Sequence, residues 1–215
     1  MIRAPLRTTD TYAGSWPLDP YIITCNSIAY ASMDSPQLGG KFTMISPSEH
    51  PREDLRLSIL RDTCLFTSEG EKEYADFVEV AAAIAETPIS LISLIDAKRQ
   101  WFKAKTGLNV SETPRNVSFC GHAILLEHGE LIVEDALLDP RFVDNPLVTG
   151  APHIRFYAGI PIRLSDRTLP IGTLCVIDHK PRVLSANKIA GLVALGKILE
   201  SYIENKRLTR AQQTG

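Results

Sequence analysis

The sequence predicts an α+β domain built on an antiparallel sheet, and three observations carry that prediction. Strand-like apolar segments come in two adjacent pairs, residues 89–96 with 100–106 and residues 156–164 with 171–178, each joined by a turn short enough for a hairpin. Segments with a 3.6-residue apolar period stand at both ends of this region. No Gly-rich turn links a strand to a helix, which excludes a P-loop or dinucleotide fingerprint and argues against a doubly wound parallel sheet.

Each element has a local reason. Residues 54–61 and 71–86 read as helices; in the second, Phe77, Val80, Ala81 and Ile84 share one face, and Pro88 stops it after Thr87. Residues 89–96 are rich in Ile and Leu on both faces, the pattern of a central strand. Lys98 and Arg99 turn the chain, and residues 100–106 return with Trp101, Lys103 and Lys105 alternating against Phe102 and Ala104 up to Gly107. A short helix over 118–126 starts at Ser118 as its N-cap, and residues 131–134 form a short strand. Residues 135–155 have no period and hold Pro140, Pro146, Gly150 and Pro152, so they form a long loop with at most a helical turn or two. Loops of that length in a compact domain usually carry function. After the second hairpin, a terminal helix runs over 185–210 with Ser185 as its N-cap.

Composition narrows the class further. The 215 residues carry 23 Lys+Arg against 25 Asp+Glu, a net charge of -2, which gives no basic surplus for direct nucleic-acid binding. The 4 cysteines are too sparse for a secreted disulfide framework. No apolar run approaches the roughly 20 residues of a membrane span, and Arg3, Arg7, Asp10 and Asp19 break up any signal peptide. A cytoplasmic protein is expected. Residues 1–50 are punctuated by Pro and Gly and read as a poorly ordered extension, or as a decoration packed through Trp16, Tyr21 and Ile22; residues 51–210 form the domain.

Several motifs in one order carry a family resemblance. Pro88-Ile89-Ser90-Leu91-Ile92-Ser93-Leu94-Ile95-Asp96, Arg99-Gln100-Trp101-Phe102-Lys103 and Glu112-Thr113-Pro114-Arg115 are followed by Ser118-Phe119-Cys120-Gly121-His122-Ala123-Ile124. Asp139-Pro140-Arg141-Phe142, Asn145-Pro146-Leu147-Val148, Arg155-Phe156-Tyr157-Ala158-Gly159 and Gly172-Thr173-Leu174-Cys175-Val176-Ile177-Asp178 complete the set. Over residues 54–205 the chain resembles the GAF domains of bacterial sensor kinases and cyclic-dinucleotide enzymes. The resemblance implies a six-stranded antiparallel sheet sandwiched between helices, with a ligand pocket on one face roofed by the long loop and short helix. It also implies a regulatory module that signals through its terminal helices; with no output domain after the last helix, a free-standing member acting in trans is expected.

The residues expected at the ligand site are Phe119, Cys120, His122, Asp135, Asp139, Arg141, Phe142, Asn145, Arg155, Phe156 and Tyr157. Aromatic faces with a few fixed polar groups suit a small ligand, and Arg141 and Arg155 are placed to hold a carboxylate or phosphate. The plain alternative is that Asp139 and Asn145, each before a proline, bond their own loop backbone. Cys120 near a helix start is a candidate reactive thiol or redox sensor. A metal site from Cys120, His122 and Cys175 is disfavoured, because residues two apart on a helix face different ways. No metal and no particular cofactor is expected.

The chain departs from two branches of the family at particular residues. Phe119-Cys120-Gly121 resembles the Val-Cys-Gly of free-methionine sulfoxide reductases, but the segment Pro152-His153-Ile154-Arg155-Phe156 lacks their nucleophilic thiol. Gly121 separates Cys120 from His122 where bilin-binding members have Cys directly before His. The expectation is therefore a binding module and not an enzyme. In the terminal helix, Ile189, Leu192, Val193, Leu199, Tyr202 and Ile203 form an apolar stripe that continues toward Leu208. That surplus, with Leu55, Ile59 and Leu60, predicts a homodimer, with a kinase or cyclase as trans-acting partner. A ligand-free interaction scaffold is the other reading.

Overall fold

The periods and turn signals place their elements to within three residues of those in the computed structural model, which describes residues 44–66, 72–164 and 168–213. The described residues fall within one compact unit, Gly40–Gly215. Trp16, Tyr21 and Ile22 lie outside the described residues.

Helix α1 (Glu53–Asp62) and α2 (Lys72–Ala85) precede the hairpin of β1 (Ile89–Ile95) and β2 (Arg99–Thr106). A three-residue strand β3 (Glu112–Pro114), a 3-10 turn (Arg115–Val117) and α3 (Phe119–Ala123) follow, then β4 (Leu131–Val133) and α4 (Pro146–Thr149). The second hairpin is β5 (Phe156–Leu164) with β6 (Leu169–Asp178), and α5 (Ala186–Gln213) closes the fold. The strands form one sheet in the order β3-β2-β1-β6-β5-β4, and all its neighbours are antiparallel.

β1 and β6 lie at the centre and are buried along their whole length, which is why β1 carries Ile and Leu on both faces. Strand β3 is invisible to pattern reading, because Glu112-Thr113-Pro114 is too short to alternate and only its pairing with β2 makes it a strand. β6 opens two residues earlier than its pattern, with Pro170 opposite Arg163 where the register shifts; a proline with no N–H is tolerated at such a bulge.

The pleat sorts the core into two layers. Ile92 and Leu94, Phe156, Ala158, Ile160 and Ile162, and Leu174 and Val176 face α1, α2 and α5, where Leu60, Tyr74, Val78, Leu192, Leu199 and Ile203 meet them. Burying each such large apolar side chain contributes roughly 1.5–3 kcal/mol. Residues 44–50, read from the sequence as part of the extension, contribute to the other side. The Ile45 carbonyl oxygen lies 2.9 Å from His122 Nε2, and Pro47 sits where a Cβ on Gly121 would approach within 2.6 Å.

Candidate functional site

The opposite sheet face is covered in two different ways. Over β1, β6 and β5 the cover is solid: Phe119 stacks on Phe142 with ring centroids 3.9 Å apart, Tyr157 tilts against Phe119, and all three are buried. Ser118 caps α3 by accepting from Gly121 N at 3.0 Å, which turns Phe119 and Cys120 onto the sheet.

Toward β2 and β3 the cover opens into a cavity of about 360 Å³. Its sheet side is Ile89, Leu91, Phe102 and Ile177, and its other walls include Leu108, Val110, Leu147 and Ile154. Gly107 makes the turn into the wall at φ 72°, where a Cβ would fall 2.0 Å from the Pro88 carbonyl oxygen, so only glycine fits. No lining residue is charged.

Gln100 and Thr113 supply the polar points. They stand opposite one another in the β2–β3 register and both line the cavity. Gln100 is only 5% exposed, and neither its Oε1 nor Thr113 Oγ1 has a hydrogen-bond partner among the described residues. A buried polar atom left unmatched costs about 1–3 kcal/mol, so this pair is suited to a ligand amide, hydroxyl or ring N–H.

The structure does not bring the eleven sequence-selected residues together. Phe119, Cys120, Phe142 and Tyr157 meet on one face, but they fill the space and do not line the cavity. Phe156 is corrected outright: one residue from Tyr157, it points to the opposite face, into the core under α1, α2 and α5. Arg155 is committed to Asp135 through two bonds of 2.8 and 2.7 Å, and this hydrogen bonding holds the Asp135 carboxyl below its usual range. Asp139 accepts from Arg141 N and from its guanidinium; burial pushes the Asp139 carboxyl up, and the Arg141 bonds outweigh it and bring it down. Asp135 and Asp139 border a separate open groove of about 580 Å³ beside β4.

Asn145 caps α4 by accepting from Leu147 N and donates to the Val117 carbonyl, the backbone role that Asn before Pro often takes. His122 turns outward to Ile45 and sits edge-on to Phe142, with burial holding its imidazole below the usual value. Cys120 turns inward instead, its Sγ 3.8 Å from that of Cys175. Gln100, at the start of β2 beside the turn, and Thr113, in the three-residue edge strand β3, are missed by sequence reading because polar residues in such places look like a solvated face. The available signal was the parity of Gln100 with buried Phe102.

A single antiparallel sheet with long helices on one side, and short helices and loops enclosing a cavity on the other, defines a class of α+β domain with a pocket over one sheet face. The GAF domain model matches residues 57–203, and the chain belongs to that family. A curated relative, a cyclic di-GMP phosphodiesterase of Pseudomonas aeruginosa, is 40% identical over 167 residues, 77% of this chain. The chain spans only 28% of that relative's length. Among solved structures, the GAF domain of a Coxiella burnetii phosphoenolpyruvate-protein phosphotransferase superposes with a TM-score of 0.55 at 19% identity, covering 73% of this chain and 96% of that one. The blue-light absorbing form of the Thermosynechococcus elongatus PixJ GAF domain gives 0.53 at 15% identity, covering 74% and 93%. These two likenesses establish the fold.

The relative also corrects one expectation. The sequence reading set enzymes aside, whereas the 40%-identical relative is named as an enzyme. Among the described residues, no helix is long and apolar enough to cross a membrane.

Proposed function

We propose that this GAF domain is a sensory module that takes a small, uncharged and largely apolar molecule into the cavity over β1 and β2, and that it serves cyclic di-GMP turnover. The observation that carries the ligand reading is the pair of unmatched atoms, Gln100 Oε1 and Thr113 Oγ1, in a largely apolar, uncharged cavity of about 360 Å³ whose one other polar side chain among the described residues is Asn109. The link to cyclic di-GMP rests on the phosphodiesterase relative. Cyclic di-GMP itself is a poor fit to the cavity, since its phosphates would meet no cation in the lining. The ligand is then an input, and the cyclic dinucleotide belongs to the output. The output is reached in trans in the cytoplasm, through α1 and α5 of a homodimer.

A thermal-shift screen of uncharged metabolites tests this. A ligand at about 100 times its Kd adds about 2.7 kcal/mol, equivalent to a rise of about 5–10 °C for a domain of this size. In the Gln100→Leu, Thr113→Val double variant the shift should vanish, while the ligand-free protein becomes more stable through loss of two unmatched atoms. A screen without any shift overturns the ligand reading.

A further inference from the structure

Away from the cavity, the solid half of the same face holds a group of polar side chains that packing alone does not require. Cys120 of α3 and Cys175 of β6 are 55 residues apart in sequence, yet their sulfurs are 3.8 Å apart and buried, at 2% and 1% exposure. The Tyr157 hydroxyl donates to Cys120 Sγ at 3.2 Å. Ser93 and Thr173, opposite one another in the β1–β6 register, have hydroxyls with no hydrogen-bond partner among the described residues. Alanine or valine would fill these places with no polar group to bury.

The groups divide the two thiols into different roles. Burial pushes the Cys120 thiol up, but hydrogen bonding from Cys175 and from the Tyr157 hydroxyl outweighs it and brings the thiol to about 7. Cys175 is raised well above the usual thiol value by its bond to Cys120 and by burial, and burial likewise keeps Tyr157 protonated as a donor. One sulfur is thus prepared as a nucleophile while its neighbour retains its proton.

We propose that Cys120 and Cys175 form a dithiol switch that is oxidised by a hydroperoxide. The Cys120 thiolate attacks the distal oxygen; the O–O bond breaks, the alcohol (water, from hydrogen peroxide) leaves with a proton, and Cys120 becomes a sulfenic acid. The Cys175 sulfur then attacks the Cys120 sulfur; the S–S bond forms, the S–O bond breaks, and the hydroxide leaves with the Cys175 proton as water. Two thiols lose two electrons together, and one hydroperoxide is reduced to alcohol and water. Closing the sulfurs from 3.8 Å to a bond of about 2 Å draws α3 toward β6 and disturbs the Phe119–Phe142 stack.

The test uses the full chain treated with hydrogen peroxide, alkylated under denaturing conditions, digested and analysed by mass spectrometry. A peptide pair joined through Cys120 and Cys175, lighter by two hydrogens and released by dithiothreitol, is expected. In Cys175→Ala the reaction should stop at a sulfenic acid on Cys120 that dimedone traps. The proposal is overturned if Cys120 and Cys175 are both fully alkylated after a treatment that oxidises the exposed Cys64, or if the cross-link joins Cys25 or Cys64 instead.

Discussion

Replacing Glu53 with glutamine should cost this domain about 3 kcal/mol, because the carboxylate holds two buried cations. Arg56 is 0% exposed and donates to Glu53 through Nε at 3.0 Å and Nη2 at 2.6 Å, while Arg115, at 6%, reaches the same carboxylate from the 3-10 turn. Beyond Glu53, Arg56 has the Pro170 carbonyl at 3.5 Å and Arg115 the Asp96 carbonyl at 3.2 Å. Removing the charged partner of a buried pair costs about 3–5 kcal/mol, and the lower end applies because the amide keeps one acceptor oxygen. Burial pushes the Glu53 carboxyl up, but the Arg56 and Arg115 bonds outweigh it and bring it down to about 2 from 4.5. A depressed carboxylate stabilises the fold above its unfolded value and loses that contribution as pH falls through the folded value. The difference between wild type and Glu53→Gln, measured by urea unfolding, should therefore be full at pH 6 and shrink between about pH 4.5 and 2. A difference below about 1 kcal/mol at pH 6, or one independent of pH, would refute the reasoning.

Three further outcomes are expected. Arg155→Ala should leave the urea midpoint nearly unchanged, since its pair with Asp135 is partly open to solvent, and should leave the ligand-induced melting shift intact; loss of that shift would return Arg155 to the binding site. Gly159→Ala places a Cβ 2.1 Å from the Tyr157 hydroxyl in a fully buried site, so it should destabilise by about 1–3 kcal/mol and weaken peroxide reactivity at Cys120; an unchanged unfolding midpoint would contradict this packing. The proposed homodimer would use exposed Leu55 of α1 and Ile198 and Leu208 of α5, so light scattering should give twice the 23.7 kDa chain mass, and a single-chain mass would end that proposal.

The hairpins were legible because their information is local. The Ile- and Leu-rich run of β1 and the stop at Pro88 each depend on residues adjacent in sequence, and the structure reproduces them; the expected alternation of β2 is instead broken at Lys103, where the register shifts and Phe102 joins one core while Trp101 and Ala104 pack on the other. The candidate site was less legible because charged loop residues look alike whether they await a ligand or one another. Asp135 and Arg155, and Asp139 and Arg141, were chosen as ligand contacts and instead neutralise each other at 2.6–2.7 Å.

By itself, the sequence determined the α+β class, the central position of β1, the capping of α3 by Ser118 and the family. Periodicity and turn chemistry act over a few residues, and those features need nothing more. Tertiary structure alone decided that Gln100 and Thr113 face a shared cavity, that Phe156 and Tyr157 point into different cores, and that Cys120 meets Cys175 across 55 residues of chain. Each depends on strand register and on which strands become neighbours, and that is set by burying the two faces of one sheet together.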